Sequence, residues 1–379
     1  MPLSKIVANS ITDNTITTDQ IANTSVHGRR NLVINGSMTI AQRGTSSTSD
    51  SYRTVDRTRT NHGGASVTQT QQTLSSGSPY DEGFRYFYRV ANTATSSATS
   101  ANMQMFQFIE AQNIAGSGWQ YTSSSSYVTF SAWVRSSLAG TYMFRLRSFD
   151  GTAQNYASKF TLAADTWTKI TKTVPGNSNL QFDNDTARGL EVNITVHFGT
   201  NYTSSSFVDD AWAAFASDSR SDDFDQNWCN TASATFDTTG WQFEVGDKST
   251  PFEHRSYGEE LALCQRYYYV RDFGIYDIIA MGHALGNRGG YLLHTPVSMR
   301  IKPSVSQGSY IHCWYNNAGS VTAQNGLVAG YMATGDADFN QVYLRADANS
   351  TLSGVTYPLG LTMYHSSTQE SYVALDSEL

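Results

Sequence analysis

Ile6, Ile11, Ile16, Ile21 and Val26 stand five residues apart, a spacing that serves neither a helix nor a strand. Apolar residues recur three and four apart on a helix face and two apart on a strand face, so a five-residue step requires a turn in every repeat. Asn9-Ser10, Asn14-Thr15, Asp19-Gln20 and Thr24-Ser25 supply residues that tolerate turn geometry. One aliphatic side chain per five residues buries too little area to offset the ordering of its own backbone. The segment therefore calls for copies of itself. Three chains about one axis would bury a layer at each of Ile6, Ile11, Ile16, Ile21 and Val26, and residues 1–30 are expected to form a trimeric β stalk or arm.

Charge is scarce in the rest of the chain. Asp, Glu, Lys and Arg make up 15% of the 379 residues, and the spaces between apolar runs are filled by Ser, Thr, Asn and Gly, which favours short strands joined by turns. The net charge is 25 minus 32, or −7, with no basic run longer than Arg29-Arg30, so a nucleic-acid groove has no electrostatic basis. The longest apolar run, Ala211 to Ala216, is too short to cross a bilayer, and the leading MPLSKIVANS is not a secretory signal. The expectation is a soluble product of the cytoplasm with no membrane insertion. Cys229, Cys264 and Cys313 are odd in number and widely separated, and they read as small buried apolar residues.

Strands are expected at Leu32–Ile40, Gly83–Ala91, Tyr127–Arg135, Thr141–Arg147, Trp167–Val174, Leu190–Phe198 and Gly240–Val245. Strands at this spacing, with Gly, Asn and Ser turns, predict a two-sheet sandwich over 31–255. Ser256 to Gln265 is the one convincing helix: Ser256 is a cap, Glu259 and Glu260 favour its first turn, and Leu261, Cys264 and Tyr268 share a face. It is expected to act as a hinge. A second strand set follows at Tyr291–His294, Ser298–Ile301, Tyr310–Tyr315, Gly326–Met332, Gln341–Ala346 and Tyr372–Leu375, so 256–379 should hold the linking helix and a smaller sandwich. The fold class is all-β.

The run from Gly240 to Tyr269, GWQFEVGDKSTPFEHRSYGEELALCQRYYY, closely resembles the junction in bacteriophage tail-fibre and receptor-binding proteins where a jelly-roll domain meets a distal domain. Asn31 to Met38 with Ala41-Gln42-Arg43-Gly44 resembles their first jelly-roll strand. Thr295 to Val305 and Ala374 to Leu379 resemble their distal and C-terminal patterns. The resemblance implies a homotrimeric virion fibre, held by a tail or baseplate protein through its N-terminus and touching a glycan or surface protein of the host envelope. The alternative is a structural head fibre, collar or decoration protein. The jelly roll also looks like carbohydrate-binding modules, many of which hold calcium through an acidic residue after the opening Asn-Gly. Ser37 occupies that place here, Glu244 matches the acidic residue of the last strand, and no metal or other cofactor is expected. Asp218, Asp222, Asp223 and Asp225 lack ligand spacing and read as a solvated loop.

No nucleophile elbow, phosphate loop or His-Glu-x-x-His is present, and no carboxylates are paired along the sequence. The chain is therefore expected not to be an enzyme. Glycan binding needs aromatic faces beside amides and hydroxyls on loops. Trp314-Tyr315-Asn316-Asn317 and Tyr364-His365 offer these in the distal part and are the candidate receptor contacts. Tyr267 to Tyr269 is read as packing between the helix and the distal sheet.

Overall fold

The computed structural model describes residues 29–274, 277–285, 288–307, 311–314, 316–317, 320–321, 328–329, 341–347, 360–365 and 371–379, with the backbone alone described across 278–291 and 307–371. The aliphatic comb, Ile6 to Val26, lies outside the described residues.

Strands β1 (Ser46–Ser47), β2 (Arg59–Gly63), β3 (Ser66–Thr73), β4 (Tyr86–Ala94), β5 (Asn102–Glu110), β6 (Tyr127–Ser136), β7 (Gly140–Ser148), β8 (Gln154–Leu162), β9 (Thr168–Pro175), β10 (Arg188–Phe198), β11 (Trp212–Ala214) and β12 (Thr235–Val245) form two six-stranded sheets. Their orders are β1-β3-β4-β12-β6-β9 and β11-β8-β7-β10-β5-β2. The ladder pairings of these named strands are antiparallel. Alternation along each strand sends one set of side chains between the sheets. Val128, Phe130, Ala132 and Val134 of β6 are buried there, as are Tyr142, Phe144 and Leu146 of β7 and Leu190, Val192, Ile194 and Val196 of β10. Phe130 stacks on Phe144 across the interface with ring centroids 4.6 Å apart, and Trp241 meets Phe130 edge-on at 5.5 Å. The all-β sandwich expected from the sequence is thus observed.

The segment Leu32–Ile40, expected as a strand, is not one. Asn35 and Met38 both take φ of 59°, a left-handed conformation that breaks a ladder. Two asparagines supply the hydrogen bonds that a neighbouring strand would have made. Asn31 Oδ1 accepts from Val33 N and Phe243 N, both at 3.0 Å, while its Nδ2 donates to Trp241 O at 2.9 Å. Asn35 donates from Nδ2 to Ile40 O at 2.8 Å and Asp56 O at 3.0 Å, and Ile40 N returns a bond to Asn35 Oδ1 at 2.9 Å.

Ser256 caps the helix Tyr257–Gln265 in a full capping box with Glu259. Beyond it, β13 (Tyr268–Phe273), β14 (Ile278–Leu285), β15 (Arg288–His294), β16 (Ser304–Gln307), β17 (Ile311–Trp314), β18 (Asn316–Asn317), β19 (Ser320–Val321), β20 (Val328–Ala329), β21 (Gln341–Asp347), β22 (Gly360–His365) and β23 (Ser371–Asp376) follow. They make a three-stranded sheet, β13-β23-β16, a six-stranded sheet, β17-β22-β14-β15-β21-β20, and the pair β18-β19. β23 is the middle strand of the small sheet, so the chain leaves through β13 and returns through β23 beside it, with Phe273 opposite Ser371. Ser298–Ile301, expected as a strand, is irregular, with a bend at Arg300 and Ile301, and Met299 and Arg300 are buried.

β12 carries an irregularity between Thr239 and Gln242, where Gly240 has φ of 69° and a Cβ would lie 2.7 Å from Phe84. Gly240→Ala adds both backbone strain and a clash, and should cost about 1–3 kcal/mol. A lower urea midpoint with unchanged slope is expected; an unchanged midpoint would show that the bulge relaxes.

Candidate recognition surface and its junction

Three of the expected receptor residues, Trp314, Tyr364 and His365, fall on one ladder of the distal six-stranded sheet. β17 pairs with β22 in a register that sets Trp314 opposite Thr362, His312 opposite Tyr364 and Ile311 opposite His365. Trp314 and Tyr364, fifty positions apart in sequence, are thereby two rungs apart on neighbouring strands. Asn316 and Asn317 pair with Val321 and Ser320 in the short β18-β19 ladder. Tyr315 lies outside the described residues.

The base from which this sheet springs is fixed by buried charge. Glu378 lies between Arg57 and Arg43, with side chains 6%, 1% and 8% exposed. It forms ion pairs with both, the one to Arg43 at 3.3 Å. Arg43 also reaches Asp376 at 3.1 Å and Asp56 at 3.9 Å. Arg57 donates to Phe108 O at 2.6 Å and lies 3.4 Å over the Tyr267 ring, while Arg43 lies 3.6 Å over Tyr268. Burial opposes the charge on Arg43, but the carboxylates of Glu378, Asp376 and Asp56 outweigh it and hold its pKa above the ordinary value. Asp56 goes the other way: burial pushes its carboxyl up to about 6 in spite of Arg43.

A second bond set completes the attachment. Arg266 grips Glu110 with two bonds of 2.9 Å, and Tyr267 donates its hydroxyl to the same carboxylate at 2.5 Å. Arg300 donates to Ser377 O at 2.7 Å, Glu378 O at 2.9 Å and Thr186 O at 2.8 Å. Glu260 of the helix accepts from Asn35 N at 2.5 Å. The helix was expected to be a hinge; these contacts make it a fixed joint. Tyr267 is buried among Tyr52, Phe106, Phe108 and Leu379, whereas Tyr268 is half-buried and faces outward.

Of the carboxylates read as a solvated loop, Asp218, Asp223 and Asp225 are exposed, and three of the four are also engaged. Asp222 and Asp209 hold Lys159 at 2.5 and 2.8 Å, Asp225 accepts from Thr141 N at 2.6 Å and Thr141 Oγ1 at 2.8 Å, and Asp223 accepts from the Thr203 hydroxyl. They tie segment 199–226 across the outer face of the second sheet, where buried Asn155 and Arg145 donate to Arg220 O at 3.0 and 3.2 Å. For calcium, the residues present do not fit. Ser37 bonds Thr39 at 2.9 Å, and both Glu244 oxygens are taken by Gln242 and Thr250 at 2.6 to 2.9 Å. Among the described residues, no three His, Cys, Asp or Glu side chains gather as a metal group, and no helix is long and apolar enough to cross a membrane.

The sequence matches no protein-family model and no curated protein. Solved structures do resemble it. The enzymatically active domain of tailspike protein 4 of bacteriophage CBA120 is 11% identical over 57% of this chain and 21% of that one, with a TM-score of 0.32. The baseplate tripod of bacteriophage Tuc2009 is 13% identical over 89% of this chain and 91% of that one, at 0.26. The family 11 carbohydrate-binding module of a Clostridium thermocellum cellulase is 12% identical over 56% and 98%, at 0.25. The exclusion of enzymatic activity does not stand, since the similar structures include that enzymatically active domain and an endo-1,4-beta-D-xylanase. The exclusion relied on carboxylates being unpaired in sequence, yet folding brings Asp56, Asp376 and Glu378 together around Arg43.

Removing one partner of a buried ion pair strands the other. Glu378→Ala should destabilise the protein by about 3–5 kcal/mol by leaving Arg57 unpaired, read as a fall in the urea midpoint; a loss no larger than that of a surface mutation would show the charge cluster to be incidental. Asp56 yields a pH test. Its folded pKa is raised, so the folded state binds its proton more tightly, and the stability this brings is present below about pH 4 and lost as pH rises through about 6. Asp56→Asn should flatten that fall in a pH series of urea midpoints, and an identical pH profile would contradict the assignment.

Proposed function

We propose that this chain is a homotrimeric bacteriophage fibre protein that contacts the host cell surface. In this reading residues 1–30 form the trimeric stalk that engages a tail or baseplate protein, 31–255 form the jelly-roll body, and 256–379 present the recognition surface. The protein acts on the virion, outside the cell that made it. The observation that carries the reading is the way the distal sheet is mounted: the chain departs and returns on paired strands, β13 and β23, and β23 continues into the buried Glu378 cluster. A mounting of this kind lets the distal strands and loops vary without disturbing the body, as a host-contacting surface requires. The mixed aromatic and amide character of Trp314, Tyr315, Asn316, Asn317, Tyr364 and His365 suits a glycan. Three such surfaces on one stalk would raise apparent affinity by orders of magnitude through effective concentration alone.

Gln307 pairs with Val373, so residues 308–370 can be replaced by a short turn that closes β16 onto β23. The shortened protein should keep the thermal unfolding of the body and lose binding to host cells and competition with phage adsorption. If the intact protein itself neither binds cells nor competes, the structural head-fibre or collar reading replaces this one. The stalk has its own test. Replacing Ile11, Ile16 and Ile21 with Ser should turn a trimer into a monomer in sedimentation with the body's unfolding unchanged, because the stalk layers lose their apolar filling; an unchanged trimer would remove the comb from the account.

A further inference from the structure

A groove of about 490 Å³ lies at the junction. One side is the loop that carries Gln42, Arg43 and Arg53; the floor is the outer face of the β13-β23-β16 sheet, with Tyr268, Asp272 and Tyr372. The register explains the floor: Tyr268 sits opposite Asp376 and Asp272 opposite Tyr372, so these four side chains share one face while Val373 and Leu375 are buried on the other.

Three properties make this surface more than a seam. Tyr372 leaves 39% of its area exposed, which places an open aromatic ring in a concave site. Tyr268 and Arg43 are held in place, the guanidinium 3.6 Å from the ring and fixed by Asp376 at 3.1 Å, while Gln42 donates to Tyr268 O at 2.8 Å. The ionic groups are balanced, Arg43 and Arg53 against Asp272 and Asp376, so the groove favours neither an anionic nor a cationic ligand. An aromatic ring for a pyranose face, with carboxylate and guanidinium groups to exchange hydrogen bonds with hydroxyls, matches an uncharged sugar. The volume falls in the range of small-ligand sites.

We propose that this groove is a binding site for a short neutral oligosaccharide, with Tyr372 as the stacking platform, Asp272 as the hydroxyl acceptor and the exposed Arg53 as a donor. It rests on the host-contact reading and adds to it a second, junction-borne contact fixed to the rigid body.

The test uses the full-length protein on an array of neutral hexose and N-acetylhexosamine oligosaccharides, with uronate-containing oligosaccharides as a second arm and intact host cells as a third. Wild type should bind members of the neutral arm. Tyr372→Ala and Asp272→Asn should each weaken that binding by about tenfold or more while leaving the unfolding midpoint in place, whereas Val208→Ser, at an exposed position outside both the groove and the distal ladder, should leave it unchanged. No neutral binding by wild type, binding confined to the uronates, or neutral binding lost only with Trp314→Ala would each overturn the groove assignment. If Tyr372→Ala changes the sedimentation coefficient without changing glycan binding, the face is an interface between copies and the proposal falls. Host-cell binding by wild type separates these outcomes from failure of the broader reading, because cells can be bound through the distal ladder alone.

Discussion

Everything distal to the sandwich depends on a carboxylate almost withdrawn from water, its side chain 6% exposed. Glu378 is held between two guanidinium groups, each nine-tenths or more buried, and such charges are tolerable only when paired and hydrogen-bonded. Arg57 meets the requirement with Phe108 O and the Tyr267 ring, and Arg43 meets it with Asp376 and the Tyr268 ring. Because Arg43 and Arg57 belong to the loops of the sandwich while Glu378 follows β23, the cluster cannot form until sandwich and returning strand are both in place. That makes the junction cooperative with the body. A hinge at the helix would have needed an interface of weak, solvated contacts; the observed one is buried.

The same constraint explains how the distal sheets are presented. β13 and β23 run antiparallel side by side, with both ends of the distal excursion anchored in the same small sheet. Loops and strands between those anchors can change in length and composition at little cost to the core, since loop-closure entropy grows slowly with length. The body contributes the complementary property, a sandwich whose interior is filled by stacked and edge-on aromatics such as Phe130, Phe144 and Trp241.

How much of this was legible in the sequence follows from which interactions are local. Tyr127–Ser136, Gly140–Ser148 and Arg188–Phe198 alternate and were readable as strands; the capping box of Ser256 and Glu259 spans four residues and announced the helix. Ser66–Thr73 escaped notice because only Val67 among its side chains is a buried apolar residue, while Gln69 is buried by accepting from Tyr88 at 2.7 Å, Thr60 at 3.1 Å and Thr54 at 3.2 Å. Leu32–Ile40 misled because its apolar pattern is strand-like while Asn31 and Asn35 bond the backbone in place of a neighbour. The charge cluster joins positions 43, 56, 57, 376 and 378, and no local pattern marks residues that meet from opposite ends of a chain. The same limit defeated the inference from unpaired carboxylates to the absence of catalysis. For the candidate site, the residue types were visible, but the pairing of β17 with β22 that brings Trp314 near Tyr364 was not, and Tyr268 was assigned to packing along with its buried neighbour Tyr267.

The central physical claim is that the returning strand belongs to the body's cooperative unit. Amide hydrogen exchange of the full-length protein tests it most directly, by comparing Val373, Ala374 and Leu375 with Val128, Phe130 and Ala132 at the centre of β6. The account predicts equal protection of the two groups, and parallel loss of both on urea titration. Fast exchange in β23 while β6 remains protected would show that the strand detaches independently and would contradict it.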